Sequence, residues 1–239
     1  MHKTGPTLLL TRPEAQSQRF AQQFERRFGS GWPVVISPLI EIRLLPFDPL
    51  PEETGDLVFT SENAVLAFAE QCPAEGRRAW CVGSRTAEVA GAAGFVAMNG
   101  PGDVIGLIDF IKGDGGVRKL LYPHGRHRTL DIAPGLVSAG IETVSFIAYE
   151  QAEVAPTDDA VLLTSTDAPV LLPLFSPRSA GLAARAFGDA RARFSVAALS
   201  TAVAEAFTRP SERLAIAGRP DAEAMLTALA QLIDAADMG

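Results

Sequence analysis

The stretch DLVFTSENAV, Asp56 to Val65, is a short apolar run that passes straight into Thr60-Ser61 and then into a helical pattern. Further along, DAVLLTSTDAPV, Asp159 to Val170, repeats the pattern: an acidic residue, an apolar run and then Thr-Ser. Both read as a buried strand followed by a helix, the kind of turn where open α/β sheets hold their ligands. Neither turn carries a Gly-rich phosphate loop, a nucleophile elbow or a histidine. What must be explained is a pair of bare hydroxyls at the end of a strand.

Working outward, strand-like and helix-like segments alternate along the whole chain, the signature of βα units and mainly parallel sheets. TLLLTRP reads as a strand followed by an amphipathic helix over Glu14–Phe28, and WPVVISPLIEIRLL as a second extended piece. The chain also resembles itself. TLLLTRPEAQSQRFAQQF followed by VVISPLIEI matches KLLYPHGRHRTLDIAPGL followed by TVSFIAYEQ in order and spacing. DLVFTSENAV, AWCVGSRTAEVA and GDVIGLIDFI match DAVLLTSTDAPV, SVAALSTAVAEA and PDAEAMLTALAQLI. Two copies of a doubly wound unit explain this most simply, and two opposed strand-end faces would enclose a cleft.

Composition narrows the function. The chain has 239 residues, enough for one large or two small α/β domains, and a formal net charge of −7. That charge argues against a nucleic-acid partner, which needs a basic face, but leaves room for a small anion held by local Arg residues and helix starts. The apolar runs are strand-sized, so no membrane span is expected, and the N-terminus lacks a signal sequence; a cytoplasmic protein is the expectation. Cys72 and Cys81 lack CxxC spacing and read as reduced packing residues. His124 and His127 stand in a loop without a Cys or carboxylate cluster, so no metal is expected. GPGDVIG, Gly100 to Gly106, lacks the acidic residue a dinucleotide site needs farther on, and reads as a turn with an N-cap. No cofactor is implied.

LLLTRPEAQ, VISPLIEI, VFTSENAV, CVGSRTAEVAGAAGF, GIETVSFIAYE and VLLTSTDAP, in that order, resemble the uroporphyrinogen-III synthase family across nearly the whole chain. The resemblance implies an α/β fold of two flavodoxin-like domains, each a doubly wound parallel sheet, joined by a two-stranded antiparallel ladder with a cleft between. The domains would be residues 1–35 with 151–239, and 45–142, with 36–44 and 143–150 as the ladder. The departures lie in the second half. TSTDAP stands where the family has Pro and then a small residue, and ALSTA carries Ala198 at the position matched to Gly83.

The activity implied is closure of the linear tetrapyrrole hydroxymethylbilane to uroporphyrinogen III, with loss of water and inversion of the last ring, on the route to heme, siroheme, cobalamin or chlorophyll. Eight carboxylates and a flexible chain make this a task of geometric restraint, suited to neutral hydroxyls and free backbone N–H groups. The expected substrate-binding residues are Arg12, Thr60, Ser61, Asn63, Gly83, Thr86, Arg128, Thr164, Ser165, Ser200 and Thr201, with Tyr149 as proton donor. Each Ser or Thr has a plainer reading as a helix cap, worth about 1 kcal/mol without any ligand. A monomer is expected, in transient contact with hydroxymethylbilane synthase. Two rival readings are a non-catalytic two-domain binding protein for a small anion and a degenerate relative of the synthase; catalysis separates both from the main one.

Overall fold

The computed structural model describes residues 5–47, 55–128 and 130–237. In chain order the elements are β1 (Thr7–Leu10), α1 (Glu14–Phe28), β2 (Val34–Ile36), β3 (Ile40–Leu44), β4 (Asp56–Phe59), α2 (Glu62–Gln71), β5 (Arg78–Cys81), α3 (Ser84–Ala92), β6 (Val96–Asn99) and α4 (Val104–Asp114). Then follow β7 (Lys119–Gly125), α5 (Ala133–Ser138), β8 (Glu142–Glu153), α6 (Asp158–Thr164), β9 (Pro169–Leu174), α7 (Pro177–Ala186), β10 (Arg193–Ala198), α8 (Thr201–Ala206), β11 (Arg213–Ile216) and α9 (Ala222–Asp237). Contacts divide the chain into two units, Met1–Glu41 with Ala152–Gly239, and Ile42–Gln151. No helix among the described residues is long and apolar enough to cross a membrane.

The discontinuous unit holds a parallel sheet ordered β11-β10-β9-β1-β2. Numbered within the unit, this is the flavodoxin order 2-1-3-4-5. Its core sets Leu8 and Leu10 of β1 and Leu171 of β9 against Phe20 and Phe24 of α1 and Met225 and Leu229 of α9. Phe20 and Phe24 lie four residues apart, with buried Ser17 on the same stripe, while Glu14 and the last-turn Arg26 and Arg27 complement the helix dipole.

The continuous unit's sheet runs β3-β8-β7-β4-β5-β6, and the pairings from β8 to β6 are parallel. Counted from β7, the order is again 2-1-3-4-5, the same wiring entered at a different strand. Alternation along the strands makes two faces. Leu57, Phe59, Cys81 and Leu121 pack with α2 and α3 on one side, and Val58, Trp80, Leu120 and Tyr122 with α4 and α5 on the other. Burial pushes the Cys81 thiol up to about 12, and both cysteines are free, as packing residues should be. At the sheet edge the Val154 N–H donates to the Leu39 carbonyl and the Leu45 N–H to the Ala148 carbonyl, so partners descend β8 as they ascend β3, the antiparallel sense.

One segment departs from the sequence reading. DAVLLTS is helix α6, and the strand of that repeat is PVLLPL, β9, where a helix was expected. Three local features select the helix. The Thr157 hydroxyl accepts from the Ala160 N–H at 3.4 Å, and Asp158 and Asp159 occupy the first turn at the positive end of the dipole. Ala160 and Thr164, four apart, are buried, whereas Val161 and Leu162 are 53% and 69% exposed. That is a helical stripe of small residues, not a buried strand. Pro173 argues against a central strand, yet β9 tolerates it. The Leu174 carbonyl accepts from the Leu199 N–H, so residue 174 directs its backbone groups to β10 and Pro173 directs its own toward β1, whose registered pairing stops at Leu171.

Candidate active site

In an open parallel sheet the ligand crevice lies outside the carboxyl ends of the strands, where the strand order reverses. In the continuous unit that point falls between β7 and β4. A crevice of about 370 Å³ opens there, lined by Thr60, Ser61, Tyr122, His124, Arg128 and Tyr149 among others. Ser61 caps α2, its Oγ accepting from the Asn63 N–H at 3.2 Å. The Thr60 hydroxyl lies 3.4 Å from the Tyr122 Oη.

Tyr149 comes in from β8 and is only 5% exposed. Burial raises its pKa above the usual phenol value, the neighbouring Tyr122 adds to the shift, and a hydrogen bond with the Ser61 side chain opposes it. The phenol therefore keeps its proton throughout the neutral range. It also explains Gly125: a Cβ there would sit 2.7 Å from the Tyr149 Cζ, so only glycine lets the ring lie against this backbone. His124 is buried with its Nδ1 2.9 Å from the Gly125 carbonyl and its ring centroid 5.0 Å from that of Tyr122. Burial lowers its pKa, the Gly125 carbonyl opposes this, Arg128 lowers it further and Asp131 opposes that. Arg128 pairs with Asp131 at 3.0 Å at the crevice rim, and Arg126 with Glu150 at 3.0 Å.

The other expected site residues occupy different surroundings. Gly83 caps α3 one strand farther out, and a Cβ there would stand 3.3 Å from the Gly102 Cα. Thr86, in the first turn of α3, is buried. In the discontinuous unit, Arg12 follows β1 and lays its guanidinium 4.1 Å above the centroid of Phe175, a cation–π arrangement. Ser200 caps α8, accepting from the Val203 N–H at 3.4 Å, and Thr201 is exposed in the first position of that helix. The match of Gly83 to Ala198 slips by two residues, because Ala198 ends β10 as Cys81 ends β5, and the cap equivalent to Gly83 is Ser200.

Thr164 and Ser165 are corrected more fully. They stand in the last turn of α6, at the end of the sheet where β9 begins, their hydroxyls donating to the Ala160 carbonyl at 2.7 Å and the Leu162 carbonyl at 2.8 Å. Neither lies at a strand's carboxyl end.

The family model described as uroporphyrinogen-III synthase HemD matches residues 18–227. The chain belongs to the uroporphyrinogen-III synthase family. It is accordingly a cyclising lyase that closes hydroxymethylbilane to uroporphyrinogen III. Among solved structures, uroporphyrinogen-III synthetase from Helicobacter pylori 26695 has the same fold, with a TM-score of 0.65 at 17% identity over 95% of this chain and 99% of that one. A mutant uroporphyrinogen III synthase from the extremely thermophilic bacterium Thermus thermophilus aligns with a TM-score of 0.47 at 14% identity over 98% and 100% of the two chains. No curated protein matches the sequence.

The turn that corresponds to Thr60-Ser61 in the discontinuous unit is Phe175-Ser176. LFSPRSA follows β9 as FTSENAV follows β4, and Ser176 caps α7 in a reciprocal capping box with Ser179. Pro177 supplies the proline that TSTDAP lacks after its serine, at the first helical position where proline is favoured. Sequence reading also passed over Tyr122 and weighed His124 only as a metal ligand. The signal was present in the matched strands TLLLTRP and KLLYPHG, which set His124 opposite Arg12.

Proposed function

We propose that the crevice between β7 and β4 holds the reacting end of hydroxymethylbilane, with Tyr149 as the proton donor. The Tyr149 phenol gives its proton to the departing hydroxyl as the carbon–oxygen bond breaks, with the electron pair supplied by the pyrrole. The substituted carbon of the last pyrrole attacks the freed methylene, its original methylene bond breaks and re-forms at that ring's unsubstituted carbon, and the phenolate recovers the proton lost from the latter, so the ring closes inverted and one water leaves overall. Thr60, Ser61 and the N–H groups of the first α2 turn meet the carboxylates beside that carbon, and Arg128 meets one at the rim. What supports this reading is the convergence of Tyr149, Ser61, Thr60 and Tyr122 on one switch-point crevice. Neutral donors are the right equipment, since they bind an anion without supplying a competing nucleophile.

Arg12, Ser200 and Thr201 are further proposed carboxylate ligands in their own unit, Arg12 first because it follows a strand at the equivalent switch point. Gly83 and Thr86 are assigned to packing and to the start of α3. The protein works in the cytoplasm as a monomer and meets hydroxymethylbilane synthase transiently, because its substrate closes to the uninverted isomer when left alone.

The test is a coupled assay in which hydroxymethylbilane is generated in situ, the products are oxidised, and the type I and type III isomers are separated chromatographically. A catalytic excess of type III is expected. Type I alone, from folded protein, would refute the assignment.

A further inference from the structure

The imidazole of His124 has a role beyond lining the crevice. Its Nδ1 lies 2.9 Å from the Gly125 carbonyl oxygen. A carbonyl only accepts, so the hydrogen must sit on Nδ1. In the neutral ring that leaves Nε2 with a lone pair and no proton. Among the described residues none hydrogen-bonds Nε2, and the atom is not sealed from solvent. The residue is 6% exposed, and it lines the crevice.

The surroundings define what such an acceptor would meet. Thr60, Ser61, Tyr122 and Tyr149 offer hydroxyls that donate as well as accept, and His127 and Arg128 offer further donors at the rim. A carboxylate finds partners on all of these. Neutral Nε2 alone repels a carboxylate and requires a donor. Besides its acid groups the linear tetrapyrrole carries two classes of donor, the hydroxymethyl O–H, which departs in the reaction, and the pyrrole N–H, which every ring keeps through to the product. We infer that His124 Nε2 accepts a hydrogen bond from a pyrrole N–H of the substrate, orienting the heterocycle in the crevice while the hydroxyls take the carboxylates. This makes His124 a specificity-determining residue, and it rests on the function proposed above.

Acid sharpens the point. The charged and titratable groups around the ring are Arg128 with its partner Asp131, His127, Arg126 with its partner Glu150, Tyr122 and Tyr149. Protonation of Nε2 converts the acceptor into a donor, so affinity for the pyrrolic ligand should fall as pH drops below the usual histidine range, although added positive charge would by itself favour the substrate's carboxylates.

The experiment measures anaerobic binding of uroporphyrinogen III, and of a benzene polycarboxylate lacking N–H groups as control, to wild-type, His124→Gln and His124→Leu proteins. The glutamine keeps a neutral acceptor and the leucine removes it. His124→Leu is expected to bind uroporphyrinogen about fivefold to tenfold more weakly, the size of one net hydrogen bond, with the polycarboxylate unchanged. His124→Gln should stay within about twofold of wild type at pH 7.5 and lose the weakening that wild type shows in acid. Nitrogen-15 NMR of the wild-type histidines supplies a readout independent of any variant's folding, and should show the Nδ1–H tautomer for His124. An Nε2–H tautomer, or equal loss of both ligands in His124→Leu, would overturn the inference. Wild-type protein that binds no uroporphyrinogen would overturn the functional reading itself, whereas tight wild-type binding unaffected by His124→Leu would remove only the histidine.

Discussion

The two units carry the same wiring and different chemistry at the same place. Strand register aligns them: Leu8 pairs with Leu171 as Leu120 pairs with Asp56, and Leu174 pairs with Ala198 as Phe59 pairs with Cys81. Through those pairs His124 occupies the position of Arg12, Tyr122 that of Leu10, and Thr60 that of Phe175. One switch point thus holds a permanent cation stacked on a ring, and the other a neutral imidazole beside two phenols and two hydroxyls. The first can bind an anion and do no proton chemistry, because a guanidinium does not deprotonate in this range. The second can hold and release a proton. Three side chains changed at equivalent strand ends thus give one duplicated wiring two different sets of functional groups.

The largest expected effect attacks that difference through the backbone. Gly125→Ala drives a methyl into the Tyr149 ring, and an ångström of displacement at a reacting group costs about 100-fold in rate. Type III formation should fall by about that factor, with melting temperature lowered only modestly; an unchanged rate would mean that the position of the Tyr149 ring is irrelevant. Thr60→Val removes the hydroxyl beside Tyr122 without altering volume, and should slow closure about fivefold, the size of one hydrogen bond.

Smaller effects distinguish caps from site residues. Ser176→Ala removes a capping box from α7 and should cost about 1 kcal/mol in urea denaturation. Ser165→Ala, in the exposed last turn of α6, should change neither stability nor isomer ratio within error. A loss of activity in Ser165→Ala would restore the reading that the structure displaced. The depressed pKa of His124 carries a sign of its own. The unfolded chain binds a proton near pH 6.5 and the folded chain only lower down, so folding loses stability as pH falls below about 6.5. The melting temperature of His124→Gln should fall less than that of wild type between pH 7.5 and pH 5, and parallel curves would show that the ring is not held neutral.

Much of the architecture was legible because each βα unit announces itself locally. TLLLTRP, DLVFTS and RAWCVG each end an apolar strand at a polar turn, and the internal match of KLLYPHG to TLLLTRP anticipates the aligned sheets. The second Thr-Ser pair misled because composition outweighed geometry. Ala160–Leu163 is apolar enough for a buried strand, and Pro173 penalises the segment that is one. Thr157-Asp158-Asp159, a cap followed by acid at a helix start, was the countervailing signal. Tyr149 was legible only through the family's motif. Tyr122 was passed over and His124 weighed only as a metal ligand, because their place in the crevice comes from β7 lying beside β4, a pairing that no local pattern announces.

The central claim is that ring closure takes place at the buried phenol of the continuous unit. Its most direct test is the initial rate of type III formation by Tyr149→Phe, beside wild type at equal folded concentration, with circular dichroism and melting temperature recorded on the same samples. The account predicts a rate lower by well over tenfold in a protein of unchanged fold. A rate equal to wild type would contradict it, and would leave the crevice as a place that shapes the substrate without giving it a proton.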